Sequence, residues 1–197
     1  MKKFELTTDT KMRFGKKLFR IKALISFGNV KVGDMGGYIE KEENLSQSGN
    51  AWVSGNAEVF GNALVSGNAR VSGNAEVFGN AEVFGNALVS GNARVSGNAR
   101  VFGNAWVSGN AEVLGNALVS GDADYATASG FGSEYRTTTF FKLKNSDEIG
   151  VRCGCFYGTL KEFKEIVKET HGETKKAKEY LMLADLMEYR FSEEKKA

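Results

Sequence analysis

The stretch VSGNAEVFGNALVSGNAR, residues 53–70, is one six-residue unit, Val-x-Gly-Asn-Ala-x, written three times. From Val53 to Asp124 the unit runs twelve times without interruption, with Gly121-Asp122 the one departure from Gly-Asn. Val is β-branched and suits an extended strand, Gly-Asn suits a corner with positive φ, and Ala is small enough to sit inside it. A period of six is not helical, and strands this short cannot make a flat array of hairpins. Three units closing a triangle give an eighteen-residue coil. Stacked coils give a parallel β-helix with Val inside, each strand pairing with the one eighteen residues later. Four such coils, at roughly 4.8 Å each, form a prism roughly 20 Å tall. The absence of proline fits a chain that needs every backbone N–H in a ladder.

The residues on either side of each Val face outward and fall into three walls. Before the Val, the first wall carries Trp52, Arg70, Leu88 and Trp106; a serine follows each Val there. The second carries Glu58, Glu76, Arg94 and Glu112, followed by Phe60, Phe78, Ser96 and Leu114. The third carries Leu64, Glu82, Arg100 and Leu118, with Phe84 and Phe102 between Ser66 and Ser120. Phe above Phe makes apolar stripes of a kind that solvated surfaces avoid. Serine marks wall that meets water, and phenylalanine marks wall that meets another surface. That surface is the chain's own C-terminal helices, a second copy, or a host protein. Trp52, Phe60, Phe78, Phe84, Phe102 and Trp106 are therefore the candidate partner or oligomer contacts. Arg94 and Arg100 on adjacent walls, with Trp106 completing the turn, could grip a phosphate or a base. Exposed arginines opposite neighbouring glutamates also make plain surface pairs.

The flanks are sequence of another kind. An open solenoid end pairs with anything extended, so caps are expected. Residues 1–52 supply a β cap and first coil, with KFEL, KLFRIKAL and GYIE as strands and Ile39 and Leu45 at coil spacing. The repeat region is 53–130. Residues 131–197 form an α/β segment: TTTFFKLK and IGVRCGCF as a hairpin, then two helices. Thr159 and Glu162 make a capping box for a helix over 160–170 whose apolar side is Leu160, Phe163 and Val167. A second helix, about 175–191, aligns Tyr180, Ala184, Met187 and Phe191. The prism wall is the nearest surface for those apolar faces.

Val-x-Gly-Asn-Ala-x resembles the hexapeptide repeat of left-handed β-helix proteins, in which an aliphatic residue opens each hexad and a small residue takes the fifth place. The left hand is implied by that resemblance, not by the period. Segments 20–45 and 138–181 are similar to the ends of uncharacterised hexapeptide-repeat proteins of bacteriophages and prophages. The resemblance implies the architecture and says little about activity. Acyltransferases of the wider family use a histidine base in or near the coils, and a γ-carbonic-anhydrase-like zinc site needs three histidines. Here the one histidine is His171, in ETHGE at the end of the first C-terminal helix, where a helix C-terminus favours it electrostatically.

Cys153 and Cys155 alternate on a strand and read as two buried small residues, short of the four ligands of a structural zinc. GDMGGYIE, residues 33–40, lacks the Lys-Ser/Thr of a phosphate loop. A formal charge of +2 argues against a dedicated nucleic-acid binder. The sequence shows no signal peptide and no bilayer-spanning run, and two close cysteines suit a reducing cytoplasm. The reading is a mainly β, left-handed parallel β-helix with an N-terminal β cap and a C-terminal α/β segment. It is cytoplasmic, needs no cofactor or metal, oligomerises, and binds a host macromolecule to blunt a host defence. The alternatives are a sequestering protein for a small anionic, nucleotide-like ligand, held by Arg94, Arg100, Arg136, Arg152 and Tyr157, and an acyltransferase relative.

Overall fold

A computed structural model describes residues 1–132 and 134–192. Twelve two-residue strands, from Trp52–Val53 to Leu118–Val119, stack in parallel with an eighteen-residue offset. Val71 lies between Val53 and Val89, Val77 between Val59 and Val95, and Val83 between Val65 and Val101. The result is a parallel β-solenoid of three flat walls whose interior valines and alanines are all but inaccessible. At the corners, Gly73 takes φ 69°, and a Cβ there would stand 3.0 Å from the Gly91 carbonyl oxygen, so the stacked corner admits glycine only. The neighbouring asparagines form ladders, each Nδ2 donating to the Oδ1 eighteen residues on, as Asn68 does to Asn86 at 3.0 Å.

The expected first coil is present. Strand β3, Met35–Ile39, pairs in parallel with the second wall, placing Ile39 beside Val59, and Leu45 bridges Val65. Strands β1, Phe4–Arg13, and β2, Lys16–Ala23, extend that wall as an antiparallel hairpin, giving a seven-stranded sheet.

The two open ends of the stack differ chemically. Along each coil, outward N–H groups donate to carbonyls of the next coil: Trp52 to Ala69, Ser54 to Val71, Asn56 to Gly73. The first coil of the repeat region is therefore left with carbonyls and the last with N–H groups, and both must be satisfied. At the first, Lys3 Nζ donates to the Ala51 oxygen (2.9 Å), the Tyr38 N–H to Ala57 (2.9 Å) and Asn44 Nδ2 to Ala63 (2.8 Å). At the last, the acceptors are Asp122 Oδ1 for the Trp106 N–H, Thr139 Oγ1 for Glu112 and Asp124 Oδ2 for Ser120. Lys3 is only 1% exposed, and burial pulls its pKa down to about 8. Burial acts to raise Asp124, but bonds from Lys142 and from the Ser120 hydroxyl and N–H outweigh it and hold the carboxyl low.

The C-terminal unit begins earlier than residue 131. Strands β4 (Tyr125–Ala128), β5 (Thr138–Lys142), β6 (Ile149–Cys153) and β7 (Phe156–Thr159) form one antiparallel sheet in that order. Alternation along β5 divides two cores: Phe141 joins the solenoid interior, and Phe140 faces helices α1, Leu160–His171, and α2, Lys175–Phe191. Thr159 and Glu162 form the expected capping box, and Leu160, Phe163 and Val167 are buried. The expectation that the helices lie on a prism wall is corrected. They pack with Phe140 and Val151 on the sheet, while the sheet's other face seals the end of the prism. A four-stranded sheet with two apolar faces supplies the partner that a two-stranded hairpin could not.

Candidate functional site

The phenylalanine columns stack as the register demands. Phe60 and Phe78 lie 5.1 Å apart with rings 2° from parallel; Phe84 and Phe102 lie 5.0 Å apart at 7°. Their surroundings differ. The tip of the β1–β2 hairpin folds over the second wall, bringing Phe14 to 6.2 Å from Phe60. Lys11 pairs with Glu58 at 2.7 Å, and Arg13 pairs with Glu58 and Glu76. Phe60 is consequently 4% exposed. Trp52 is covered similarly, with Phe27 edge-on at 5.5 Å. These two expected partner contacts are contacts within the chain. The signal missed was local: Arg13-Phe14-Gly15 is a turn with a cation and an aromatic at its tip.

Phe78, Phe84 and Phe102 are half-buried, the last two beneath the Arg100 guanidinium at 5.0 and 6.0 Å. Trp106 is 54% exposed, its indole N–H donating to Ser90 Oγ at 3.1 Å, and Leu64 and Leu88 are each 38% exposed. The first wall holds a shallow trough of about 290 Å³ in which Arg70, Leu88 and Trp106 run beside the serine column.

The arginines named from sequence do not converge on one ligand site. Arg94 pairs with Glu76 at 3.2 Å on the second wall, and Arg100 with Glu82 at 2.9 Å on the third. Trp106 stands on the first wall. These are the surface pairs that opposite glutamates imply. Arg152 pairs with Glu112 at 2.7 Å, and Arg136 lies 3.8 Å from Glu134. Those two arginines do share a polar cleft of about 440 Å³. Tyr157, across the strand pair from Arg152, sets its hydroxyl over the Gly115 corner.

A second cleft was not legible in the sequence. It lies between α1, the start of α2 and the β6–β7 turn, with Cys153, Cys155, His171 and Tyr180 on its lining. The pair of buried cysteines is corrected: Cys153 is half-buried, whereas Cys155 is exposed, because Gly154 and Cys155 form the turn between β6 and β7. Thr138 donates its hydroxyl to Cys153 Sγ at 3.1 Å, and the thiol faces the Tyr180 hydroxyl at 3.9 Å. Burial first, then Cys153, pushes the Tyr180 phenol up to about 12. His171 stacks on Tyr180 at 6.1 Å. Among the described residues no three His, Cys, Asp or Glu side chains gather as a metal-ligand set, and no helix is long and apolar enough to cross a membrane.

Walls, caps and paired sheets define a parallel β-solenoid sealed at both ends. The chain is similar to a known family over part of that solenoid: the family model described as the YdcK β-solenoid repeat matches residues 57–73 and 93–109, both within the coils. No curated protein matches the chain.

Proposed function

We propose that this protein is a non-enzymatic interaction module that self-associates through its first wall and the Phe84–Phe102 column. The observation that carries the reading is the unequal cover on the solenoid. Phe60 and Trp52 are roofed by the N-terminal segment, whereas Trp106 and Leu88 on the first wall and Leu64 on the third stand exposed, and the stacked Phe84 and Phe102 are only half-buried. Exposed aromatic and aliphatic groups on a rigid flat surface are what a protein interface uses as anchors. A flat β wall also keeps its shape on binding, so association costs little ordering.

The finer reading is that the coils are left-handed, of the hexapeptide-repeat class found in bacteriophages and prophages. In it, the assembled module acts in a host cytoplasm by binding a host macromolecule and counteracting a defence. It draws on the Val-x-Gly-Asn-Ala-x unit and on the flanking segments. Carboxylate partners on Arg94, Arg100 and Arg152 speak against a nucleotide-sequestering role, since a polyanion must displace them. His171 lies against Tyr180 in the C-terminal unit, a poor position for a base acting between coils.

Light scattering on a Phe84→Ser, Phe102→Ser double variant tests the proposal. The variant should keep its β-rich circular dichroism and lose mass relative to the parent protein. An unchanged mass with an intact fold excludes this column from the interface.

A further inference from the structure

The C-terminal cleft is separate from the proposed interaction surface and encloses about 300 Å³. Its floor is apolar and fixed. Phe163 and Val167 are buried, Phe156 lies 5.5 Å from Phe163, and Tyr180 meets Phe163 edge-on at 5.7 Å. Ile166, 41% exposed, forms part of the lining at the surface.

Polar groups join the lining from the β6–β7 turn and the end of α1. Arg136 holds its guanidinium over that turn: a Cβ on Gly154 would stand 3.8 Å from its Nη1. Gly154 takes φ +58°, so the turn stays free of a side chain between Arg136 and the cleft. Arg136 is only loosely engaged, 3.8 Å from Glu134 with both side chains about two-thirds exposed, so it can exchange that partner for another anion at little cost. Tyr180 adds its ring to the lining, and its hydroxyl, protonated through the ordinary pH range, lies beside Gly132 and 3.9 Å from Cys153 Sγ.

We propose that this cleft binds a small amphipathic monoanion, a carboxylate with an aliphatic or aromatic body. The body lies against Phe156, Phe163, Val167 and Tyr180, and the carboxylate meets the Arg136 guanidinium. A carboxylate suits a single guanidinium, which it can meet through two parallel hydrogen bonds. Glu134 on the same lining offsets part of the positive charge and disfavours a phosphate dianion. An apolar lining with a few polar groups at one side is the usual build of a small-molecule site.

Calorimetric titration of the full chain with octanoate, and with uncharged octanamide, tests this. Octanoate should bind at one site per chain. Hexanoate, two methylenes shorter, should bind about fifteenfold more weakly, because each buried methylene contributes about a fourfold factor. Arg136→Gln should weaken octanoate about tenfold and leave octanamide unchanged. Ile166→Glu, at a position exposed enough to spare the fold, should abolish both. Absence of octanoate binding at millimolar concentration overturns the proposal, as does equal weakening of acid and amide by Arg136→Gln. Ile166→Glu lowering the protein's mass in solution, with octanoate binding untouched, overturns it too and makes the cleft a contact between copies.

Discussion

Two phenylalanine pairs in this solenoid are nearly identical in geometry and opposite in circumstance. Phe60 and Phe78 stack at 5.1 Å on one column, Phe84 and Phe102 at 5.0 Å on another, each pair beside an arginine of its own wall. In the first pair Phe60 is roofed by Phe14, which the ion pairs of Lys11 and Arg13 hold in place, while Phe78 is half-buried. Over the second lies Arg100, and among the described residues no further aromatic ring packs on it. A repeated motif therefore carries no fixed meaning of its own. The non-repetitive chain decides which copies are core and which are surface.

The largest test of that contrast is Phe60→Ser. Removing a 4% exposed ring beneath the hairpin should cost about 3–5 kcal/mol, read by denaturant unfolding, with no change in mass. A cost below about 1 kcal/mol would show that the roof is not seated.

The next concerns Lys3, which ties the same N-terminal segment to Ala51. Its folded pKa of about 8 lies below the ordinary 10.5, so the folded state binds that proton less tightly than the unfolded one. Stability is therefore held down below pH 8 and gained as pH rises from about 8 to 10.5, by at most about 3 kcal/mol. A Lys3→Met variant should lose this gain when its unfolding curves are compared with the parent's across that window. The raised Tyr180 acts in the opposite sense above pH 10 but is common to both proteins, so the difference isolates Lys3.

Arg13→Gln should cost about 1 kcal/mol, as expected for a half-exposed ion pair in a network, and should loosen the hairpin tip. It uncovers Phe60 beside the half-buried Phe78, so concentration-dependent association should increase. Association unchanged by this variant would mean that uncovered rings are not enough. Smallest in stability is Phe84→Ser with Phe102→Ser: less than about 1 kcal/mol per site by thermal unfolding, since both rings are already half in water.

The solenoid was legible because its cause is periodic. Each Val-x-Gly-Asn-Ala-x unit states the strand, the corner and the inward residue, and eighteen-residue register follows from closing the triangle. The α1 capping box was equally local, written in Thr159 and Glu162. What escaped depends on contacts between distant, aperiodic segments. Phe14 reaches Phe60 across the hairpin, and Phe140 and Phe141, adjacent in sequence, serve two different cores. The C-terminal cleft gathers Arg136, Cys153, His171 and Tyr180 from a loop, a strand and two helices, with no spacing rule to announce it. Trp52 and Trp106 show the limit most plainly: the same residue at the same place in its hexad is 6% exposed in one coil and 54% in another.

Native mass spectrometry of the purified full chain, recorded over rising concentration, shows whether the protein self-associates through the uncovered rings. The expected result is a discrete oligomer that the Phe84→Ser, Phe102→Ser variant reduces to single chains. A parent protein that remains a single chain at every concentration would contradict it.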